Sequence, residues 1–232
     1  MNKYVLIVAG GKGLRMGGDL PKQFIPMRGK SLLMHTLEAF HRWDASARII
    51  LVLPEDHQPY WNMLCKEIGC KVPHAIVKGG DTRVFSVKNG LDWLLAERRR
   101  KGEEDSGLSL VAVHDGVRPF VSPEVVEACF DKAAVTGAVI PVVPMIDSLR
   151  ETDEKGSHPV DRSRYMAVQT PQVFHLELLT KAYEQPYSSL FTDDASVVEA
   201  MGHAIDTVPG DRENIKITTP FDLLIAEAMF AR

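Results

Sequence analysis

The sequence predicts an α/β fold built on a doubly wound, mostly parallel sheet, from three observations. Short apolar, β-branched runs at 3–10, 47–54, 74–80, 109–115 and 137–143 alternate with segments of helical spacing. Polar, glycine-bearing stretches follow three of those runs: GGKGLRMG, GGDTR and HDGVRP. A doubly wound sheet gathers such stretches at the carboxyl ends of its strands, where these folds bind ligands. The alternation then stops near Pro144, and a long polar stretch leaves the pattern. The expectation is a Rossmann-like sheet carrying a protruding β-arm.

KYVLIVAG is a buried strand stopped by glycine. SLLMHTLEAFHRW has helical spacing at Leu32, Leu33, Thr36, Leu37 and Phe40, with Ser31 as N-cap. ARIILVLP is the second strand. EDHQPYWNMLCKEIG is a helix whose Pro59 must fall in the first turn. HAIVKGG is the third strand. DTRVFSVKNGLDWLLAERRR is a long helix with Val84, Val87, Leu91 and Leu94 on its apolar face. SLVAVHDGVRPF is a fourth strand ending in a polar turn. SPEVVEACFDKAAVTG is a helix with Ser122 as N-cap and Pro123 at its first position, and GAVIPVV is the fifth strand.

MIDSLRETDEKGSHPVDRSRYMAVQTPQVF reads as two extended segments joined by a tip at Glu154-Lys155-Gly156. This arm, about 144–166, has too little apolar face to be stable alone and is expected to dock on a second subunit; the alternative is a surface loop. Helices are expected in LELLTKAYEQ and DDASVVEAMG, and short strands in HAIDTVPG and NIKIT. A last helix is expected in TPFDLLIAEAMFA, capped by Thr219 with Pro220 at its first position. Residues 1–232 are read as one domain.

Composition narrows the function classes. The chain has 232 residues, a formal net charge of −4 and a pI near 6.1, so no global basic field favours nucleic acid. Cys65, Cys70 and Cys129 fit no zinc spacing and no even disulfide framework, so free thiols in a reducing compartment are expected. The apolar run at 4–9 is too short for a signal-peptide core, and no run approaches membrane-spanning length. A cytoplasmic protein with no membrane partner is expected.

The first glycine-rich loop carries the chemistry. It lacks the Lys-Ser/Thr of a phosphate-binding P-loop and the third glycine of the dinucleotide fingerprint. What remains is G-G-x-G-x-R-M followed by Pro21-Lys22. Glycines let backbone N–H groups approach phosphates. Arg15 adds a planar fork and Lys22 a mobile point charge, and both suit a triphosphate.

The pattern A-G-G-x-G-x-R-M-x(4)-P-K resembles the signature of nucleotidyltransferases that couple a nucleoside triphosphate to a phosphorylated sugar or polyol. GGDTRVFSVKNGL, VHDGVRP, QTPQVF with TDDAS, and NIKITTPFDL are similar to the 2-C-methyl-D-erythritol 4-phosphate cytidylyltransferase family of non-mevalonate isoprenoid biosynthesis. The resemblance runs in order over nearly the whole chain. It implies a transferase that moves CMP from CTP to 2-C-methyl-D-erythritol 4-phosphate and releases pyrophosphate. It also implies Mg²⁺ as divalent cation and a homodimer built through the arm.

The resemblance assigns roles residue by residue. Arg15, Lys22 and Lys216 are the catalytic cations. Ala9, Gly10, Gly11 and Gly13 form the triphosphate loop. Gly80, Asp81 and Ser86 contact the cytosine, whose edge offers an amino donor and two acceptors. Capping of the following helix is an equal reading for Asp81 taken alone. Asp115 is placed at the Mg²⁺ and the reacting phosphate, against a plain turn-capping alternative. Ser148, Arg162 and Thr170 are acceptor contacts, with Arg162 as a phosphate clamp and a solvated surface charge as its alternative. Lys216, apolar-flanked in a buried-looking strand, needs an anionic partner such as a phosphate. Arg118 is read as structural, and His114 as a satisfied core or turn histidine. The acids of TDDAS are read as a helix start capped by Thr192 or an aspartate.

Three places depart from the family pattern: Gly10 for alanine, Gly116-Val117 for Ala-Ala, and Ser148 for threonine. The Val-Arg-Pro form also resembles the sister family of ribitol-5-phosphate cytidylyltransferases. That acceptor, or a nucleotide-binding regulatory module without turnover, are the alternative readings.

Overall fold

The computed structural model of the chain describes residues 1–10, 20–103, 107–154 and 156–231. The elements run β1 (Asn2–Val8), β2 (Pro26–Met27), β3 (Lys30–Ser31), α1 (Leu32–Trp43), β4 (Arg48–Leu53), α2 (Gln58–Ile68), β5 (His74–Lys78), α3 (Arg83–Lys101), β6 (Ser109–Asp115), α4 (Pro123–Thr136) and β7 (Ala138–Pro144). The second part holds β8 (Leu149–Asp153), β9 (Gly156–Val160), β10 (Met166–Val168), β11 (Gln172–His175), α5 (Leu176–Ala182), α6 (Asp194–Glu199), β12 (Asp206–Pro209) and α7 (Pro220–Phe230).

The central sheet has the order β10-β7-β11-β6-β1-β4-β5, with β12 also on β7. β6, β1, β4 and β5 are mutually parallel, and β12 is parallel to β7. β10 and β11 are antiparallel to their neighbours. The expected mostly parallel, doubly wound sheet is therefore present. Its strands are apolar on both faces because helices cover both. Val5, Ile7, Ile49, Leu51, Leu110 and Ala112 face one core, which α1, α2 and α4 complete. Tyr4, Leu6, Ile50, Val52, Val111 and Val113 face the other, which α3, α5 and α6 complete. That split follows the two-residue period of a strand.

The expected caps at Ser31, Ser122 and Thr219 are formed, and Pro59, Pro123 and Pro220 sit in first turns. Two open local readings are decided and two expectations corrected. Asp81 does not cap α3: Thr82 does, accepting from the Phe85 N–H. Of the caps open for α6, Thr192 or an aspartate, Asp193 is the one formed, in a capping box with Ser196. NIKIT is not a strand: Ile217 is buried against Met27, Leu32 and Ala226, so tertiary packing holds the segment instead of a ladder. Within HAIDTVPG the strand begins only at Asp206.

The arm leaves and re-enters the sheet between two paired residues, Met166 and Pro144. Between them β8 and β9 form a two-stranded hairpin, with Asp153 opposite Gly156 at its tip. No helix among the described residues is long and apolar enough to cross a membrane.

Gly116 marks where β6 closes on β1. Its N–H donates to Val8 O at 2.9 Å. An added Cβ would lie 2.8 Å from Ala9 Cβ and 3.3 Å from Val8 O, atoms fixed by the sheet. At Gly10, by contrast, the nearest described atom a Cβ would meet is Ser86 Oγ, at 3.8 Å. Gly116→Ala is expected to lose about 1–3 kcal/mol of stability through overpacking. Urea denaturation measures this, and a variant as stable as wild type would show that β1 and β6 shift apart freely.

Candidate functional site

A cavity of about 230 Å³ opens where β1 and β6 end and α3 begins. It collects residues from five places in the chain, and eight of the residues expected at a site are among its lining: Ala9, Gly10, Lys22, Gly80, Asp81, Ser86, Asp115 and Lys216. Gly11, Gly13 and Arg15 lie outside the described residues.

Each wall has a local cause. Lys22 lies on a short 3₁₀ turn, Lys22–Phe24, whose Gln23 is buried. Gln23 Nε2 donates to Ala9 O at 3.0 Å and meets His57 Nδ1 at 3.2 Å, which ties the turn to the end of β1. Gly80 is required by close approach, since a Cβ would lie 2.5 Å from Phe85 Cβ and 2.9 Å from its backbone carbon. Ser86 shapes this loop: its Oγ accepts from the Gly80 N–H at 3.1 Å and donates to Thr82 O at 2.9 Å. The hydroxyl expected to face a base is thus engaged by backbone, while Asp81 stays exposed at the rim.

Asp115 ends β6 at the centre of the cavity wall and is 8% exposed. Its Oδ2 takes Lys216 Nζ at 3.0 Å and Arg118 Nε at 3.3 Å, and Arg83 Nε stands 3.7 Å from Oδ1. Burial alone would raise the Asp115 pKa, but the charges of Lys216, Arg83 and Arg118 outweigh it and hold the carboxyl well below the usual carboxylate range. Lys216 is half-exposed, not buried as its flanking residues suggest, yet its anionic partner exists and is Asp115. Lys216 also lines a second, more open hollow of about 410 Å³ with Arg118, Gln169, Arg212 and Asn214.

His114 and Thr170 hold Asp115 from behind. The Asp115 N–H donates to Thr170 Oγ1 at 3.2 Å, and Thr170 Oγ1 meets His114 Nδ1 at 3.0 Å. His114 Nε2 reaches Arg118 O at 3.1 Å. A carbonyl only accepts, so Nε2 carries the proton and Nδ1 accepts from Thr170. Burial pushes the His114 pKa down to about 4, against the opposing pull of the Arg118 carbonyl. Thr170 is therefore a buried brace with its hydroxyl engaged, not an open acceptor contact. Ser148 and Arg162 lie exposed on the arm and line neither cavity; Arg162 Nη1 donates to Ile146 O.

Sequence reasoning missed Arg83 and Asp194. Arg83 lines the cavity and donates through Nη2 to Asp194 Oδ2 at 2.5 Å. Asp194 is fully buried, and Tyr183 OH donates to its Oδ1 at 2.5 Å. The paired acids of TDDAS carried the signal: Asp193 caps the helix, and Asp194 turns inward. His114, Arg118 and the free thiols Cys65, Cys70 and Cys129 stand as expected.

For a divalent cation the cavity offers the carboxylate of Asp115 in its wall and that of Asp81 at its rim, with no group of three or more His, Cys, Asp or Glu among the described residues. Mg²⁺ commonly takes one or two carboxylates and completes its shell with substrate phosphates and water. Asp115 fits that donor set: it is ionised, and among the described residues its Oδ1 is approached by Arg83 at ion-pair distance.

The family model for IspD, 2-C-methyl-D-erythritol 4-phosphate cytidylyltransferase, matches residues 4–232. A protein of that name from Bacteroides fragilis is 55% identical over 99% of this chain and 100% of its own length. The crystal structure of the enzyme so named from Thermus thermophilus is 32% identical, covers 100% of both chains and superposes with a TM-score of 0.74. The 4-diphosphocytidyl-2C-methyl-D-erythritol synthase structure from Anaerococcus prevotii is 28% identical, with a TM-score of 0.79 over 100% of this chain and 96% of that one.

The sealed His114 generates a pH prediction. Its folded pKa, about 4, lies below the ordinary value of 6.5. The unfolded chain therefore binds a proton that the folded chain refuses across that window. Stability contributed by neutral His114 is complete above about pH 6.5 and is lost as pH falls toward about 4. In His114→Gln the pH dependence of urea midpoints across this window should flatten by about one proton. An equal slope in both proteins would show that His114 titrates normally.

Proposed function

The chain belongs to the 2-C-methyl-D-erythritol 4-phosphate cytidylyltransferase family, and on that premise we propose that it transfers CMP from CTP to 2-C-methyl-D-erythritol 4-phosphate, releasing pyrophosphate. The observation that carries this reading at the level of the site is the convergence of the β1 end, Lys22 and Lys216 on one cavity around Asp115. Transfer to ribitol 5-phosphate and the non-catalytic module are set aside, since the matching relatives carry the methylerythritol name over their whole length.

A phosphate oxygen of the acceptor attacks the α-phosphorus of CTP in line. The new P–O bond forms as the bond to the β-phosphate oxygen breaks, and pyrophosphate leaves with that electron pair. The nucleophile is already an anion, so no general base is needed. A neutral, fully bonded His114 suits that requirement. Catalysis then rests on positioning and on neutralising phosphate charge. In this proposal Lys22 and Lys216 hold the α-phosphate and the incoming phosphate, with Arg15 assigned by its motif. Ala9, Gly10 and Gly80 let the nucleotide lie close to backbone. Asp81 and the loop shaped by Ser86 face the base. Asp115 would hold Mg²⁺, which would supply charge neutralisation to the triphosphate.

The acceptor belongs on the far side of Lys216, in the hollow with Arg118 and Asn214. Among the described residues Asn214 Oδ1 and Gln23 Oε1 are buried without a hydrogen-bond partner. Ser148 and Arg162 reach an acceptor only across a homodimer. Exposed Ile146, Tyr165 and Met166 at the arm root, and Phe221 and Leu224 on α7, support such an interface. We further propose one domain over 1–232 with the arm as its dimerisation element, and a cytoplasmic location.

Pyrophosphate release with CTP, Mg²⁺ and each polyol phosphate tests the reaction. Methylerythritol phosphate should be the better acceptor; faster release with ribitol 5-phosphate would reverse the assignment. Lys22→Ala and Lys216→Ala should each lower kcat by about 10²–10³. A kcat near wild type in either would remove that lysine from the catalytic set. Deleting the hairpin should convert a sedimenting dimer to monomer and abolish turnover; a monomeric wild type would end the shared-site proposal.

A further inference from the structure

The buried acid Asp194 is unexplained by the transfer chemistry. It lies on the first turn of α6, fully buried, with both carboxylate oxygens engaged. Tyr183 OH donates to Oδ1, and Arg83 Nη2 donates to Oδ2, each at 2.5 Å. Arg83 is the group that couples Asp194 to the cavity. Its fork bonds Asp194 on one side, and its Nε faces Asp115 Oδ1 at 3.7 Å on the other. That second distance is an ion-pair separation, too long for a hydrogen bond.

The two oxygens of Asp115 therefore differ. Oδ2 is occupied by Lys216 and Arg118. Oδ1 faces an arginine that another carboxylate holds back. A movement of about 1 Å would bring Arg83 into a charge-assisted hydrogen bond with Oδ1. Loss of the Asp194 charge would make Asp115 the nearest anion to Arg83 and drive that movement.

We propose that Asp194 is a positioning residue: by anchoring Arg83, with Tyr183 fixing its own carboxylate, it keeps Asp115 Oδ1 available to the divalent cation that accompanies the nucleotide. The inference rests on the reading of Asp115 as the cation ligand. It deepens that reading by naming what keeps the ligand oxygen open inside a cluster of positive charge. A purely structural role, tying the start of α3 to α6, predicts lost stability but no specific effect on the cation.

Mn²⁺ binding to the full chain with CTP and no acceptor, followed by the EPR signal of free Mn²⁺, separates these roles. Asp194→Asn is expected to weaken Mn²⁺ binding about 10–100-fold, the usual effect of losing a group that orients a metal ligand. The Mg²⁺ concentration for half-maximal turnover should rise in parallel, while kcat at saturating Mg²⁺ changes far less. The double variant Arg83→Met with Asp194→Asn removes the competing cation as well. It should recover Mn²⁺ affinity to within about threefold of wild type, a coupling that a double-mutant cycle detects. Removing both members of a buried pair also spares the fold the stranded charge.

Unchanged Mn²⁺ affinity in Asp194→Asn, or a double variant as weak as the single one, overturns the proposal. If Asp194→Asn does not fold, Asp194→Glu replaces it: the charge stays, but the anchor of Arg83 is displaced by one methylene. Mn²⁺ binding should then weaken measurably, and an unaltered affinity overturns the proposal. Asp115→Asn separates the two layers of inference. If it leaves Mn²⁺ affinity intact, the cation reading fails and the inference falls with it. If it abolishes binding while Asp194→Asn leaves the affinity unchanged, the inference fails alone.

Discussion

The carboxylate of Asp115, ionised and surrounded by Lys216, Arg118 and Arg83, is the interaction around which the site is built. It stands at the last residue of a fully buried strand, and its backbone N–H is bonded to Thr170. Because β6 lies between β1 and β11, its position is fixed by ladders on both sides. Each cation arrives from a different part of the chain: Arg83 opens α3, Arg118 follows β6, and Lys216 precedes α7. Arg118 also donates to Asn214 O at 2.7 Å, and Asn214 Nδ2 donates to Thr170 O at 2.7 Å. One carboxylate thus registers the sheet, the turn after β6 and the 214–218 segment against each other.

Such a cluster is weak evidence for stability. Desolvation of buried charges offsets much of their attraction, and apolar replacements are often as stable. What the cluster supplies is a defined charge pattern. Arg83 is divided between Asp115 and Asp194, and Lys216 sits at the junction of the closed cavity and the open hollow. In the proposed reaction these cations would face two phosphates at once, which a dry fold of the same shape could not provide. The apolar faces do the holding instead: both cores cover the sheet up to the residues that line the site, and Val8 and Ala9 belong to those cores.

The fold was legible in the sequence because its signals are local. Alternating apolar runs, serine and threonine caps, and prolines in first turns each act within a few residues, and each is realised in the structure. The errors arose where tertiary packing decides. NIKIT has strand composition but no strand partner, because Ile217 is drawn into the core beside α7. Asp81 resembles a cap, yet Thr82 is one residue closer to the helix and takes the Phe85 N–H. Of the site, the residues on the first loop, at Asp115 and at Lys216 were legible as a motif set, and those described converge. The Arg83–Asp194 pair was not, because 111 residues separate its members and no periodic pattern links them.

The orientation of polar groups was also beyond the sequence, and it changes what individual residues can do. Ser86, Thr170 and His114 each carry chemistry-bearing side chains near the cavity, yet each has its hydrogen-bonding groups engaged inside the protein. Protonating His114 Nδ1 would remove the acceptor of the Thr170 hydroxyl proton and turn that contact round. A histidine locked in this way is a poor proton acceptor for substrate. The reaction needs none, since an anionic phosphate oxygen attacks directly. The site therefore places its fixed dipoles behind the carboxylate and its mobile lysines in front of it. Rigid orientation of Asp115 and adjustable charge on the substrates are requirements that one side chain could not meet together.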